Sequence, residues 1–193
     1  MKTMPAFDTL TLASPRLRLR PLVAADAQAL FDIFSDTITM RYWSTPPWPD
    51  ISHAEKMIAT DVAAMPAGEH LRLAMTRPEA DIVIGICTLF AFDLQNRRAE
   101  IGYGLKRELR GQGLMHEALC TLIAFGFDEL DLRRLEADID PRNTASARSL
   151  ERLGFVKEGH LRERWIVGGE VSDTGLYGLL RKDWKPPGPC RNE

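Results

Sequence analysis

The sequence predicts a mixed α/β fold: one sheet, mostly antiparallel, with helices on both faces. Three observations lead there. Alternating apolar and polar residues, as in Leu71-Arg72-Leu73 and Leu135-Glu136-Ala137, mark half-buried strands. Apolar residues at three- and four-residue spacing, such as Met115, Leu119, Leu122 and Ile123, mark amphipathic helices. The order of these elements matters most. Turn-linked strands lead into a strand–helix–strand unit around Arg110-Gly111-Gln112-Gly113, which puts one parallel pair inside an otherwise antiparallel sheet.

With 193 residues and an ordinary globular composition, the chain reads as one domain over 1–184, followed by a proline-rich tail, 185–193, expected to be mobile. The net charge of -2 gives no basic footprint, so nucleic acid is not expected as a partner, although the scattered arginines leave room for a local patch. Cys87, Cys120 and Cys190 form no CxxC and no metal-ligand spacing with the four histidines. Cys87 and Cys120 sit in apolar patterns and read as reduced core residues. No apolar run reaches membrane-spanning length and the N-terminus lacks the layout of a signal peptide, so the expected setting is cytoplasmic.

In chain order, Met1 to Asp8 has little pattern and is expected to be a loose end. Leu10–Leu12 and Leu17–Arg20 alternate as strands, ended by Pro21. Ala24–Ser35 is a helix with Ala27, Leu30, Phe31 and Phe34 inward, and Asp26 near its start suits the dipole. Pro46, Pro47 and Pro49 exclude a regular element from Met40 to Pro49, yet Tyr42, Trp43 and Trp48 are costly to leave in water. They either wall a pocket or form a satellite core between the first two helices. Ser52 with Glu55 reads as a capping box for a helix to about Met65. Strands follow at Leu71–Met75, Ile82–Phe90 and Ala99–Leu105, then a helix to about Glu129 and a strand at Arg134–Ile139. Asn143 caps a helix to Leu153, with Ala147, Leu150 and Leu153 inward and Gly154 as its stop. Phe155–Val167 and Asp173–Leu180 close the sheet around Gly168-Gly169.

The loop at Arg110–Met115 allows two readings from its own residues. It is a turn that needs two glycines, or it is a phosphate site, because a glycine-rich turn opening a helix leaves several backbone N–H groups unpaired at the positive end of the dipole. GxGxxG is absent and several strands precede the loop, which excludes a doubly wound dinucleotide fold.

Strand, Arg110-x-x-Gly113, long helix, strand, then Asn143-x-x-Ser146 and Leu153-Gly154-Phe155 resembles the GNAT superfamily of acetyl-CoA-dependent N-acetyltransferases. The opening SPRLRLRPL, the RYW and PPW loop, GQGLMHEAL and NTASARSLERLGFVKEGHLRE resemble its RimJ/RimL branch of ribosomal-protein N-terminal acetyltransferases, from about Leu10 to Trp184. The resemblance implies a strand–loop–helix coenzyme A site. The pyrophosphate would lie on Arg110, Gly111, Gln112, Gly113, Leu114 and Met115, and the pantetheine arm along Tyr103, Gly104 and Leu105 like an added strand. Asn143 would touch that arm, with Ser146 near the thiol. Two departures stand out. Met115 occupies a position usually taken by glycine or alanine, and Leu150 stands where many members carry a tyrosine acid, so Ser146 or solvent must serve if an acid is needed.

Direct transfer to an amine requires a base, oxyanion donors and an exit for the thiolate. Glu100 is the first candidate base, with an ion pair to Arg97 or Arg98 as its structural alternative. Backbone N–H groups near Tyr103 to Leu105 are the expected oxyanion donors, Tyr42, Trp43 and Trp48 the expected walls of the acceptor pocket, and Glu163 and Asp173 weaker candidates for holding a cationic amine. The expected acceptor is a primary amine, plausibly a protein N-terminus. A polyamine, amino sugar, amino acid or antibiotic is the enzymatic alternative, and a non-catalytic acyl-CoA-binding module the other. A homodimer would be in keeping with the family.

Overall fold

The computed structural model describes residues 4–186. A single eight-stranded sheet holds β1 (Leu12–Ala13), β2 (Arg18–Arg20), β3 (Leu71–Arg77), β4 (Ala80–Asp93), β5 (Arg98–Leu105), β6 (Arg134–Ile139), β7 (Val156–Val167) and β8 (Glu170–Leu180). Their order across the sheet is β1-β2-β3-β4-β5-β6-β8-β7. Among the described residues only β5 and β6 pair in parallel, joined by the crossover through α4 (Leu114–Asp128). The tail expected at 185–193 lies outside the described residues from 187 onward.

Two cores hold the helices to opposite faces. On one face α4 and α5 (Thr144–Arg152) bury Leu119, Ile123, Phe127 and Leu150 against Leu73, Leu89, Leu135 and their neighbours. On the other, α1 (Ala27–Phe34) and α3 (Ser52–Ala64) bury Leu30, Ile33, Phe34 and Ile58 against Ala74, Val83 and Ile86. The central strands β3 and β4 therefore show side chains to both cores. Cys87 and Cys120 are buried, as their apolar setting implied.

Four local expectations need correction. Phe7 is fully buried against Phe92 and Phe125, and its N–H donates to Met65 O at 2.9 Å, so 4–8 is tied down. One aromatic in a short polar stretch has no period to reveal it. Ser52 is the first residue of α3 and not its cap. Asp50 accepts from the Ser52 N–H at 2.9 Å and takes over the side-chain role. On α1 Ile33 joins Ala27, Leu30 and Phe34 as fully inward, while Phe31 is half-buried at the edge of that core. Asp26 is also buried, and it makes a bidentate pair with the Arg20 guanidinium at 2.8 and 3.0 Å. A short helix, α2 (Thr37–Met40), precedes the proline-rich loop.

Candidate active site

The sheet opens where its two parallel strands part. The β5–β6 ladder stops at Glu100↔Glu136. Beyond it β5 stays with β4 to Leu105, while β6 follows β8 to Ile139. The β6-facing edge of β5 from Ile101 onward is thus left without a strand partner. A cleft of about 350 Å³ fills the opening, lined by residues of both sheet faces. A ligand with two amides in line can take the vacated edge as an extra strand would.

On the face of α1 and α3 stand three carboxylates, Glu100, Glu136 and Asp138. The register Glu100↔Glu136 puts the first two side by side, and alternation adds Asp138. Their surroundings separate them. Glu136 accepts from Arg98 at 2.6 Å and Arg134 at 2.7 Å, and these bonds outweigh burial and hold its carboxyl below the ordinary range. Among the described residues no ion pair or hydrogen bond reaches Glu100. Burial, then the charges of Asp138 and Glu136, push its carboxyl up despite Arg98 and Arg164. Asp138 opens onto the cleft but is poorly solvated there, and that desolvation raises its carboxyl too, against the pull of Arg164. The ion pair weighed for Glu100 does not form: Arg98 is on Asp93 and Glu136, and Arg97 on Asp131.

On the opposite face Tyr103 and Ser146 meet, with their hydroxyl oxygens 2.7 Å apart. Asn143 caps α5 by accepting from the Ser146 N–H at 3.1 Å, as its sequence context implied, and it lines the cleft with Ser146. Leu150, one turn on, is fully buried in the core.

The glycine loop caps α4 and does not itself line the cleft. Gly111 and Gly113 both have left-handed backbone, φ +78 and +73, which a side chain would strain. A Cβ at Gly111 would meet nothing within 4 Å, so the space there is open to a ligand. Leu114 and Met115 begin the helix, with Leu114 buried in the core. The loop is braced at both ends. Arg110 donates to Thr39 Oγ1 at 2.9 Å, and Arg16 donates to Gln112 O at 3.1 Å. Buried Glu117 in the first turn of α4 accepts from Ser14 Oγ at 2.6 Å, the Arg16 N–H at 2.8 Å and Arg16 Nε at 2.6 Å. Burial alone would raise the Glu117 carboxyl, but these bonds together hold it below its ordinary value. Backbone N–H groups at a helix start, with open space at Gly111, suit a diphosphate.

The proline-rich loop serves both purposes left open by its sequence. Trp43 packs edge-on against Phe34, with ring centroids 5.0 Å apart, and also lines the cleft. Tyr42 lines it too, between the guanidinium carbons of Arg41 and Arg142 at 5.3 and 5.8 Å from its ring. Trp48 stacks on Phe34 at 4.6 Å in the satellite core and does not line the cleft. Gly104 is a glycine for a reason the sequence hid: a Cβ there would stand 3.0 Å from Trp43.

Glu163 is exposed and away from the cleft. The pairing of β7 with β8 jumps between Leu161↔Thr174 and Trp165↔Ser172, a bulge at which Glu163 takes φ +53 and gives its N–H to Asp173 at 2.9 Å. The bulge turns Trp165 into the cleft instead, where its indole N–H donates to Thr174 at 3.2 Å. Trp165 and Asp138 are site residues that sequence reading missed. The signal for Asp138 was available in the alternation of β6.

A sheet split at its parallel pair, with a glycine-capped helix in the crossover, is the arrangement that the resemblance to acyl-coenzyme A transferases implies. The model of the acetyltransferase (GNAT) domain matches residues 16–156. The uncharacterized N-acetyltransferase p20 of Bacillus licheniformis is 37% identical over 90% of this chain and 98% of its own. The ribosomal protein uS5-alanine N-acetyltransferase of Escherichia coli is 28% identical over 91% of this chain and 93% of its own. Among solved structures, a probable acetyltransferase of the GNAT family from Chromobacterium violaceum superposes with a TM-score of 0.83 at 26% identity, covering 95% and 92% of the two chains. The chain belongs to the GNAT family of N-acetyltransferases, enzymes that take an acetyl group from acetyl-CoA and pass it to an amine.

Proposed function

We propose that this enzyme acetylates a protein N-terminal amine, as in the RimJ/RimL branch, with the thioester seated in the gap between β5 and β6. The observation that carries the seating of the thioester is the division of the cleft, and the protein acceptor rests on similarity to the uS5-alanine enzyme. Unpaired carboxylates, Glu100 and Asp138, stand on one sheet face, and a hydroxyl pair, Tyr103 and Ser146, on the other. The amine approaches from the carboxylate side, walled by Tyr42, Trp43 and Trp165. Arg110 to Met115 hold the diphosphate, and the open β5 edge at Tyr103 to Leu105 binds the pantetheine amides and polarises the thioester oxygen.

The neutral amine nitrogen attacks the carbonyl carbon and an N–C bond forms. Glu100, directly or through one cleft water, takes the proton that nitrogen sheds. The C–S bond breaks with its electron pair going to sulfur, and the proton from nitrogen reaches sulfur by way of Glu100 and cleft water. Asp138 keeps Glu100 basic by repulsion.

Similarity to the ribosomal-protein enzyme of Escherichia coli supports a protein acceptor, in the cytoplasm. Among the described residues no helix is long and apolar enough to cross a membrane. A second reading takes a polyamine, favoured by the unpaired carboxylates and by 22% identity to the spermidine N(1)-acetyltransferase of Vibrio cholerae. Thiol release from acetyl-CoA, with peptides of varied N-termini set beside polyamines and amino sugars, separates the two. Release with peptides is the expected result, and release with spermidine alone replaces the protein acceptor with a small one.

A further inference from the structure

We propose that the Tyr103 phenol orients the Ser146 hydroxyl toward the departing sulfur, so that a hydroxyl pair fills the role left open by leucine at position 150. This rests on the seating of the thioester in the β5–β6 gap.

The argument starts from proton counting. Two hydroxyls that share one hydrogen bond use one of their two O–H protons, so one is left to point elsewhere. Tyr103 and Ser146 share such a bond at 2.7 Å, and among the described residues Ser146 is the phenol's hydrogen-bond partner. Both residues line the cleft, so the spare proton has somewhere to go. Burial, only partly offset by the bond to Ser146, pushes the phenol up to about 12, so Tyr103 stays a neutral donor across the working range. A phenol is the stronger acid of the two hydroxyls, so we assign its proton to Ser146 Oγ, which turns the Ser146 O–H to the cleft. Donation into Oγ polarises the outgoing O–H, since chained hydrogen bonds strengthen one another.

Position supports the same direction. Ser146 lies in the first turn of α5, and its N–H is held by Asn143 Oδ1, so the hydroxyl sits at the positive end of a nine-residue helix, where negative charge on sulfur is favoured. Alternation along β5 sends Glu100 and Tyr103 to opposite faces, so amine and sulfur meet different groups across one opening. A side chain from position 150 starts in the closed core, where Leu150 has no exposure. No proton leaves Tyr103 in the reaction. As the C–S electrons collect on sulfur, Ser146 donates to it until the proton from nitrogen arrives, and Tyr103 holds Ser146 in the donating rotamer. Tyr103 is thus a positioning residue.

The test compares Tyr103→Phe, Ser146→Ala, Ser146→Thr and the Tyr103→Phe/Ser146→Ala double variant. Two readouts are taken: kcat with KM for acetyl-CoA, and the ultraviolet thiolate absorbance of bound coenzyme A against pH. Tyr103→Phe is expected to lower kcat about tenfold, the size of one oriented hydrogen bond, with KM held within about twofold. Ser146→Ala lowers kcat about a hundredfold, and Ser146→Thr restores most of it. The double variant is no slower than Ser146→Ala, because the phenol acts only through the serine. The bound thiol titrates at lower pH in the wild type than in either hydroxyl deletion. Wild-type kcat in Tyr103→Phe, full additivity in the double variant, or a thiol titration that Tyr103→Phe does not move would each overturn the proposal. The titration needs no acceptor, so it decides the role of Tyr103 even if every amine offered proves inert, an outcome that would count against the proposed function alone.

Discussion

Glu100 and Glu136 are neighbours across the parallel pair, yet only one can serve as a base. Two arginines hold Glu136 ionised and engaged, whereas Glu100 faces Asp138 without a partner. Glu100→Gln is expected to lower kcat/KM about a hundredfold or more while leaving the coenzyme A thermal shift intact. The sign of the pH effect follows from the direction of its shift. A raised carboxyl takes up its proton above the ordinary value of about 4.3, so activity falls as pH drops through that raised value. Asp138→Asn removes the repulsion and moves the inflection to lower pH, which a kcat/KM profile against pH would show. Glu100 was legible from alternation on one strand. Asp138 was readable as sharing a face with Glu136 by alternation, but the register that sets both beside Glu100 leaves no mark in a single sequence. Gly85 was silent for the same reason. A Cβ there would stand 2.6 Å from the Gly104 carbonyl, so Gly85→Ala must push two strands apart, an expected loss of about 1–3 kcal/mol in urea unfolding.

At the scale of elements, the start of α4 depends on a distant turn. Ser14 and Arg16, between β1 and β2, are bound to Glu117 and so brace the glycine loop. The Glu117 carboxyl is depressed in the folded protein, so its stabilisation is complete above the unfolded value of about 4.3 and is lost as pH falls below that toward the folded value. Coenzyme A binding is therefore expected to weaken over that acid window in the wild type and to be weaker but flatter in Glu117→Gln, as calorimetry at stepped pH would record. The buried Arg20–Asp26 pair ties β2 to the start of α1 in a similar way. Arg20→Met leaves a carboxylate buried without its partner and should cost about 3–5 kcal/mol, measured by denaturant unfolding. Helices with strong apolar spacing were readable to within a few residues. The β7 bulge was not, because it is set by Asp173 on the next strand and by a left-handed residue that is not glycine.

For the whole molecule, the sheet is one body with one opening, and the opening lies where its two parallel strands diverge. The sequence order of strands already required that parallel pair. What it could not show was that pairing ends after Glu136, which decides where a donor fits. The central claim is that acetyl-CoA occupies this gap, its diphosphate on the start of α4. Amide hydrogen exchange with and without coenzyme A tests that claim most directly. Protection gathered at Gly102 to Leu105 and at Gly111 to Leu114, with β1, β2 and β7 unchanged, is the predicted result. Protection that misses the β5 edge and the glycine loop would contradict it.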